Sequence, residues 1–137
     1  MSDDPESMRA RAESDPYCET LGIELVEMDS GHARTELTVG ENHLNFHGTV
    51  HGGAIYSLAD AAFAAASNSH GETAFALETN ISYLDMTETG TTLDATATET
   101  YNGRRTAEYR VEVSGPGDDP IATFRGRVYK PGSSDGE

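Results

Sequence analysis

This sequence predicts an α+β fold: one long buried helix and about six mostly antiparallel strands. Three observations carry that reading. The run from Gly52 to about Ser69 is apolar on every side, so a helix there has to be covered all round. It is the only long helical stretch in the chain. The remainder breaks into short segments of alternating polarity, separated by glycine and asparagine turns. At 137 residues the chain is one domain, long enough for a core and too short for two.

In chain order, residues 1–15 are polar and read as a lead-in or a short exposed helix, ahead of a core domain over 16–130. A helical turn from Tyr17 to Leu21 ends at Gly22, a residue suited to a helix C-cap. "IELVEMDSGHARTELTV" reads as two strands joined at Asp29-Ser30-Gly31. In the second, Thr35, Leu37 and Val39 alternate with Arg34, Glu36 and Thr38. Gly40 to His51 is a loop. The long helix is rich in alanines, whose small side chains let a wrapped sheet approach. Four strands follow, at about Phe75–Leu84, Thr91–Tyr101, Arg105–Ser114 and Ile121–Tyr129. Turns fall at Thr89-Gly90, at Asn102-Gly103 and at "GPGDDP"; Asn-Gly is a strong hairpin signal. Residues 131–137 are a flexible tail.

Composition narrows the function. Twenty-four acidic residues face nine basic ones, a formal charge of −15, and Lys130 is the only lysine. A nucleic-acid partner would need a basic footprint, which is missing. Acidity with lysine depletion matches a surface adapted to high salt, where self-repulsion is screened within about 3 Å at 1 M. Cys18 is alone, so no disulfide forms within the chain, and it reads as a small core residue. No segment has the make-up of a signal peptide or the length of a membrane span, which predicts a cytoplasmic protein without membrane association.

Two features can carry chemistry. At "HGG" (His51 to Gly53), glycines leave backbone N–H groups uncovered at a helix start, where donors are orphaned and the dipole is positive. Either the glycines only ease a tight join, or they form an oxyanion site. Asp60 lies in the middle of the apolar helix. A carboxylate there either makes a structural hydrogen bond to a strand or is a general base or nucleophile. Gly52 and Asp60 are eight residues apart, about 12 Å along the helix axis. Groups acting on one carbonyl must come within about 3–3.5 Å of the reacting atoms. One chain cannot do this easily. Two antiparallel helices across a twofold axis can, which predicts a homodimer with two shared sites.

"LNFHGTVHGGAIYSLADAAFAAASNSHG", with "LGIELVEMDSG" before it and "NGRRTAEYRVEV" and "ATFRGRVYK" after it, resembles the PaaI-type hotdog-fold thioesterases of phenylacetic acid degradation. The resemblance spans roughly residues 16–130. It implies a helix wrapped by a curved sheet, dimers paired into tetramers, and hydrolysis of acyl-CoA to a free acid and CoA. No cofactor is implied, since coenzyme A is part of the substrate. By motif position, the Gly52 N–H, beside Gly53, would polarise the thioester carbonyl. Asn45 would orient the thioester or water, and His51 would shape that wall. Asp60 of the partner chain would activate water or attack directly. Some relatives carry a serine near position 76 to hold the water; here it is Ala76, with Thr79 a substitute. Arg104 and Arg105 follow the Asn102-Gly103 turn, a position resembling the family's nucleotide-contacting edge, and arginine suits phosphate. Surface ion pairing is the other reading of these arginines. A non-catalytic acyl-CoA-binding module and an acyl-thioester hydratase or dehydratase are the alternative functions.

Other patterns are weaker. His43, His47 and His51 are spaced by four, but Gly48, Thr49 and Val50 disfavour a helix there, so no metal site is predicted. Ser57, Asp60 and His70 fail as a triad, because His70 lies about 15 Å from Asp60 along the helix and no nucleophile elbow is present.

Overall fold

The computed structural model describes residues 4–132; the predicted tail is therefore covered only at 131 and 132, and 133–137 lie outside the described residues. Helix α1 (Pro5–Glu13) starts at Asp4, whose carboxylate accepts the Ser7 N–H at 2.7 Å. It is a short and mostly exposed helix, but its Met8 is buried in the core. Helix α2 (Pro16–Leu21) is capped by Asp15 and ends at Gly22 with φ 82°, the left-handed conformation its C-cap role requires.

Strands β1 (Glu24–Asp29) and β2 (His32–Thr38) form the predicted hairpin. After helix α3 (Gly52–Ser67) come β3 (Phe75–Tyr83), β4 (Thr92–Asn102), β5 (Thr106–Ser114) and β6 (Pro120–Tyr129). The six strands make one sheet in the order β1-β2-β4-β5-β6-β3, and all five pairings are antiparallel. The α+β fold of one long helix and six strands is the predicted one.

Helix and sheet are joined by packing and by one buried hydrogen bond. The Phe63 ring lies on Gly126 of β6, where an added Cβ would come within 2.6 Å of the ring. Only glycine leaves room for it. The Thr35 hydroxyl, 1 % exposed, donates to the Leu58 carbonyl at 3.0 Å and ties β2 to the middle of α3.

One expectation is corrected. Helix α3 is not covered on every side within one chain. Ala54, Ile55, Leu58, Ala59, Ala62, Phe63, Ala65 and Ala66 are buried, but Ser57, Asp60, Ala61 and Ala64 are not. Those four recur at helical spacing and form one open face. Along the β3 edge of the sheet, Phe75, Leu77 and Tyr83 are also more than half exposed (59 %, 52 % and 51 %).

Candidate active site

The start of α3 is organised by the loop before it. The Asn45 Oδ1 accepts three donors, the backbone N–H groups of His47 and Thr49 (2.9 and 3.1 Å) and the Thr49 hydroxyl (3.1 Å). A bridge between Leu44 and Val50 closes this turn. The Asn45 oxygen is thus spent on its own loop, leaving its amide nitrogen for any outside group. His43 is a second anchor. Its Nδ1 accepts the Gly40 N–H at 2.9 Å, so its Nε2 carries the proton given to the Leu21 carbonyl at 2.7 Å.

His51 is the N-cap residue of α3, and its Nδ1 accepts the Gly53 N–H at 2.8 Å. This satisfies one of the orphan donors of the first turn. The Ala54 N–H is bonded to the His51 carbonyl at 2.9 Å. The Gly52 N–H has no partner among the described residues. It is the backbone donor left at the positive end of the helix, which makes it the one suited to an oxyanion. Gly53, by contrast, has its N–H committed to His51.

Asp60 sits in a different environment. A cleft of about 810 Å³ opens along the uncovered face of α3, walled by α1, α2, β1 and the start of β3. Asp15, Tyr17, Cys18, Ser57 and Phe75 line it together with Asp60. Among the described residues no hydrogen bond or ion pair holds the Asp60 carboxylate, so the structural-bond alternative is not what the fold uses. Burial, and then the neighbouring Asp15, raise its pKa above the ordinary carboxylate value. The Cys18 thiol is pushed up to about 11 by burial and by Asp15 and Asp60, so it stays protonated and is a poor nucleophile. Across the cleft the Tyr17 and Ser57 hydroxyls are bonded at 3.2 Å.

The other predicted residues are placed apart from these. The Thr79 hydroxyl is bonded to the Tyr56 hydroxyl at 2.6 Å, and Thr79 does not line the Asp60 cleft. Neither do Gly52, Asn45 or His51, so one chain does not bring the helix start and Asp60 into one cavity. Arg105 donates to the Pro131 carbonyl at 2.7 Å. Arg104 has no acidic partner among the described residues, whereas Arg34, Arg110, Arg125 and Arg127 all pair with glutamate or aspartate. His70 is engaged with Glu99 at 2.7 Å, away from Asp60. Among the described residues, no three His, Cys, Asp or Glu side chains converge to hold a metal.

Sequence reasoning missed Tyr83, whose hydroxyl donates to the Gly52 carbonyl at 2.9 Å, and the Asp15 beside Asp60. It considered Ser57 only as part of a triad, although its place three residues before Asp60 sets both on one helix face. Tyr83 and Asp15 are brought in by tertiary packing, which leaves no local pattern to read.

A curved antiparallel sheet on one helix is the hotdog fold, and likeness to known proteins places the chain among the thioester hydrolases of that fold. Residues 47–122 match the family profile of the thioesterase superfamily, and the chain belongs to that family. It is 37% identical over 129 residues to the acyl-coenzyme A thioesterase PaaI of Escherichia coli, spanning 94% of this chain and 92% of that one. The solved structure of E. coli PaaI superposes with a TM-score of 0.88, covering 93% of each chain at 38% identity. The solved structure of an asparagine-to-aspartate mutant of the phenylacetic acid degradation protein PaaI from Thermus thermophilus is 41% identical with a TM-score of 0.82, covering 85% of this chain and 99% of that one. A Streptococcus mutans protein solved with acetyl CoA bound is 28% identical, with a TM-score of 0.77 over 81% of this chain and 90% of its own.

Proposed function

We propose that this thioester hydrolase acts on acyl-CoA, releasing the free acid and CoA, through sites shared across a homodimer. The single observation that carries the reading is the separation of two complementary half-sites on α3. The Gly52 N–H is an uncommitted donor at the helix start, and Asp60 is an unpaired carboxylate in a cleft that does not include Gly52. The S. mutans relative solved with acetyl CoA supports the substrate class.

In this reading the thioester carbonyl oxygen lies against the Gly52 N–H, which gains strength as negative charge develops there. The Asn45 amide nitrogen, with its oxygen held on the loop, orients the thioester or the water, and His51 forms the adjoining wall. Asp60 of the partner chain takes a proton from water as the hydroxide adds to the carbonyl. Alternatively its carboxylate attacks directly, giving an acyl–aspartyl anhydride that water then opens at the aspartyl carbonyl, releasing the acid. In both routes the C–S bond breaks, the electron pair leaves with the CoA sulfur, and the sulfur ends protonated. Both routes need ionised Asp60. A single turnover in oxygen-18 water separates them, since only the anhydride route labels Asp60.

The exposed apolar residues of the β3 edge suit burial against a second copy, and pairing of two such dimers gives a tetramer. Arg104 and Arg105, with no acidic partner among the described residues, meet the CoA phosphates. Gly53 shapes the helix start beside the carbonyl, and Thr79 acts through Tyr56. The acyl group is aryl-acetyl, such as phenylacetyl or hydroxyphenylacetyl, or a short to medium chain. The acidic, lysine-poor surface belongs to a cytoplasmic protein working at high salt. Asp60→Asn tested with phenylacetyl-CoA in a thiol-release assay decides the mechanism. Unchanged turnover by a folded variant rejects it.

A further inference from the structure

We infer that Tyr83 is a positioning residue for the oxyanion donor, fixing the Gly52 backbone so that its N–H points at the developing charge. The inference rests on the shared-site reading above and assigns a role to a residue outside that set. Gly52 and Gly53 are adjacent glycines at a helix start, so this backbone has more freedom than any other pair would leave it. An oxyanion donor has to be held within about 0.5 Å of its productive place.

Two hydrogen bonds clamp the Gly52–Gly53 peptide, the one that follows the donor, at its two edges. His51 folds back to accept its N–H, that of Gly53, at 2.8 Å. Tyr83 donates to its carbonyl, that of Gly52, at 2.9 Å, which holds Gly52 on the C-terminal side of its own N–H. The phenol also packs directly on Gly52, where an added Cβ would stand 3.1 Å from both its Cζ and its hydroxyl oxygen. A side chain at 52 would press on the ring and push it outward by a few tenths of an ångström, so glycine gives the closest seat for the phenol.

Tyr83 is itself well held. It ends β3 opposite Ala122 of β6, and the next residue, Leu84, donates its N–H to the Ile121 carbonyl at 2.8 Å. The hydroxyl therefore projects from sheet backbone onto the helix start, a rigid mount for a positioning contact. Burial, and then nearby Tyr56, push the phenol pKa above its ordinary value, so the group stays a neutral donor at working pH.

The test is Tyr83→Phe, which keeps the ring and deletes the bond. With phenylacetyl-CoA, kcat falls about 10-fold at unchanged KM, less than the roughly 10²–10³-fold loss of a whole oxyanion donor. Nitrogen-15 relaxation shows the Gly52 amide ordered in the parent protein and mobile in the variant. A kcat within twofold of the parent, or a raised KM at unchanged kcat, overturns the inference. So does a Gly52 amide that is equally ordered in both proteins. Failure of the parent protein to cleave any acyl-CoA defeats the thioesterase reading instead, and the amide dynamics then decide the positioning role alone.

Discussion

The two halves of α3 are built in opposite ways. At its start the candidate donor is a backbone group set among largely committed polar atoms: His51 Nδ1 to Gly53, the Asn45 oxygen to its loop, Tyr83 to the Gly52 carbonyl. Two turns on, the candidate group is a side chain, and Asp60 has a cleft, a half-buried thiol and a like charge for neighbours. The first half is organised to receive negative charge. The second keeps a negative charge under stress. A donor can be preorganised by saturating its surroundings, whereas a reactive carboxylate has to be left unsatisfied. In the proposed shared site, that requirement is a reason to keep the two apart within one chain and to unite them only across a subunit boundary.

Removing the stressed half has the largest expected effect. Asp60→Asn lowers kcat about 10³-fold, within the range expected for loss of a catalytic base, as measured by CoA release. The same variant is more stable than the parent near neutral pH. Because the folded pKa of Asp60 is raised, the folded state binds more protons than the unfolded one between the ordinary carboxylate value and the raised value. Stability contributed by this group therefore falls as pH rises through that window, and the neutral amide escapes the loss. A denaturation midpoint no higher in Asp60→Asn than in the parent at pH 7 contradicts this account.

Complementation tests the separation itself. Chains carrying Asp60→Ala and chains carrying Gly52→Val are each inactive, and after subunit exchange each mixed dimer recovers about one working site. Recovery has to track exchange followed by an independent label; exchange without recovery places both half-sites in one chain.

A smaller effect comes from relieving the second half. Asp15→Asn removes the like charge beside Asp60, so the acid limb of the kcat profile moves to lower pH. The sign follows from the need for an ionised carboxylate: activity is lost as pH falls through the raised pKa, and lowering that pKa extends activity into acid. An unmoved limb means burial alone sets it. At the other half, His51→Ala strips the cap from Gly53 and lowers unfolding stability by about 1 kcal/mol, read from chemical denaturation.

Much of this was legible locally. The alternation of Thr35 and Leu37 with Arg34, Glu36 and Thr38 marked β2, Gly22 marked the end of α2, and the apolar run marked α3. The open face of that helix was not legible, because Ala61 and Ala64 on it are the same residue type as buried Ala62 and Ala65. Among the site residues, Gly52 and Asp60 stood out because each conflicts with its local setting. Thr79 is a site candidate only as a substitute for the serine that some relatives carry near position 76, and its hydroxyl is bonded to Tyr56.

The sequence by itself determined the element order, the one-helix, six-strand architecture and the separation of Gly52 from Asp60. These depend on periodicity and on the fixed rise of a helix, both of which are local. Only the tertiary structure decided which face of α3 stays open, that Asp15 crowds Asp60, and that Tyr83 reaches back to Gly52. Those contacts join positions 31 or more residues apart, and long-range proximity is set by how the sheet wraps the helix, not by any pattern along the chain.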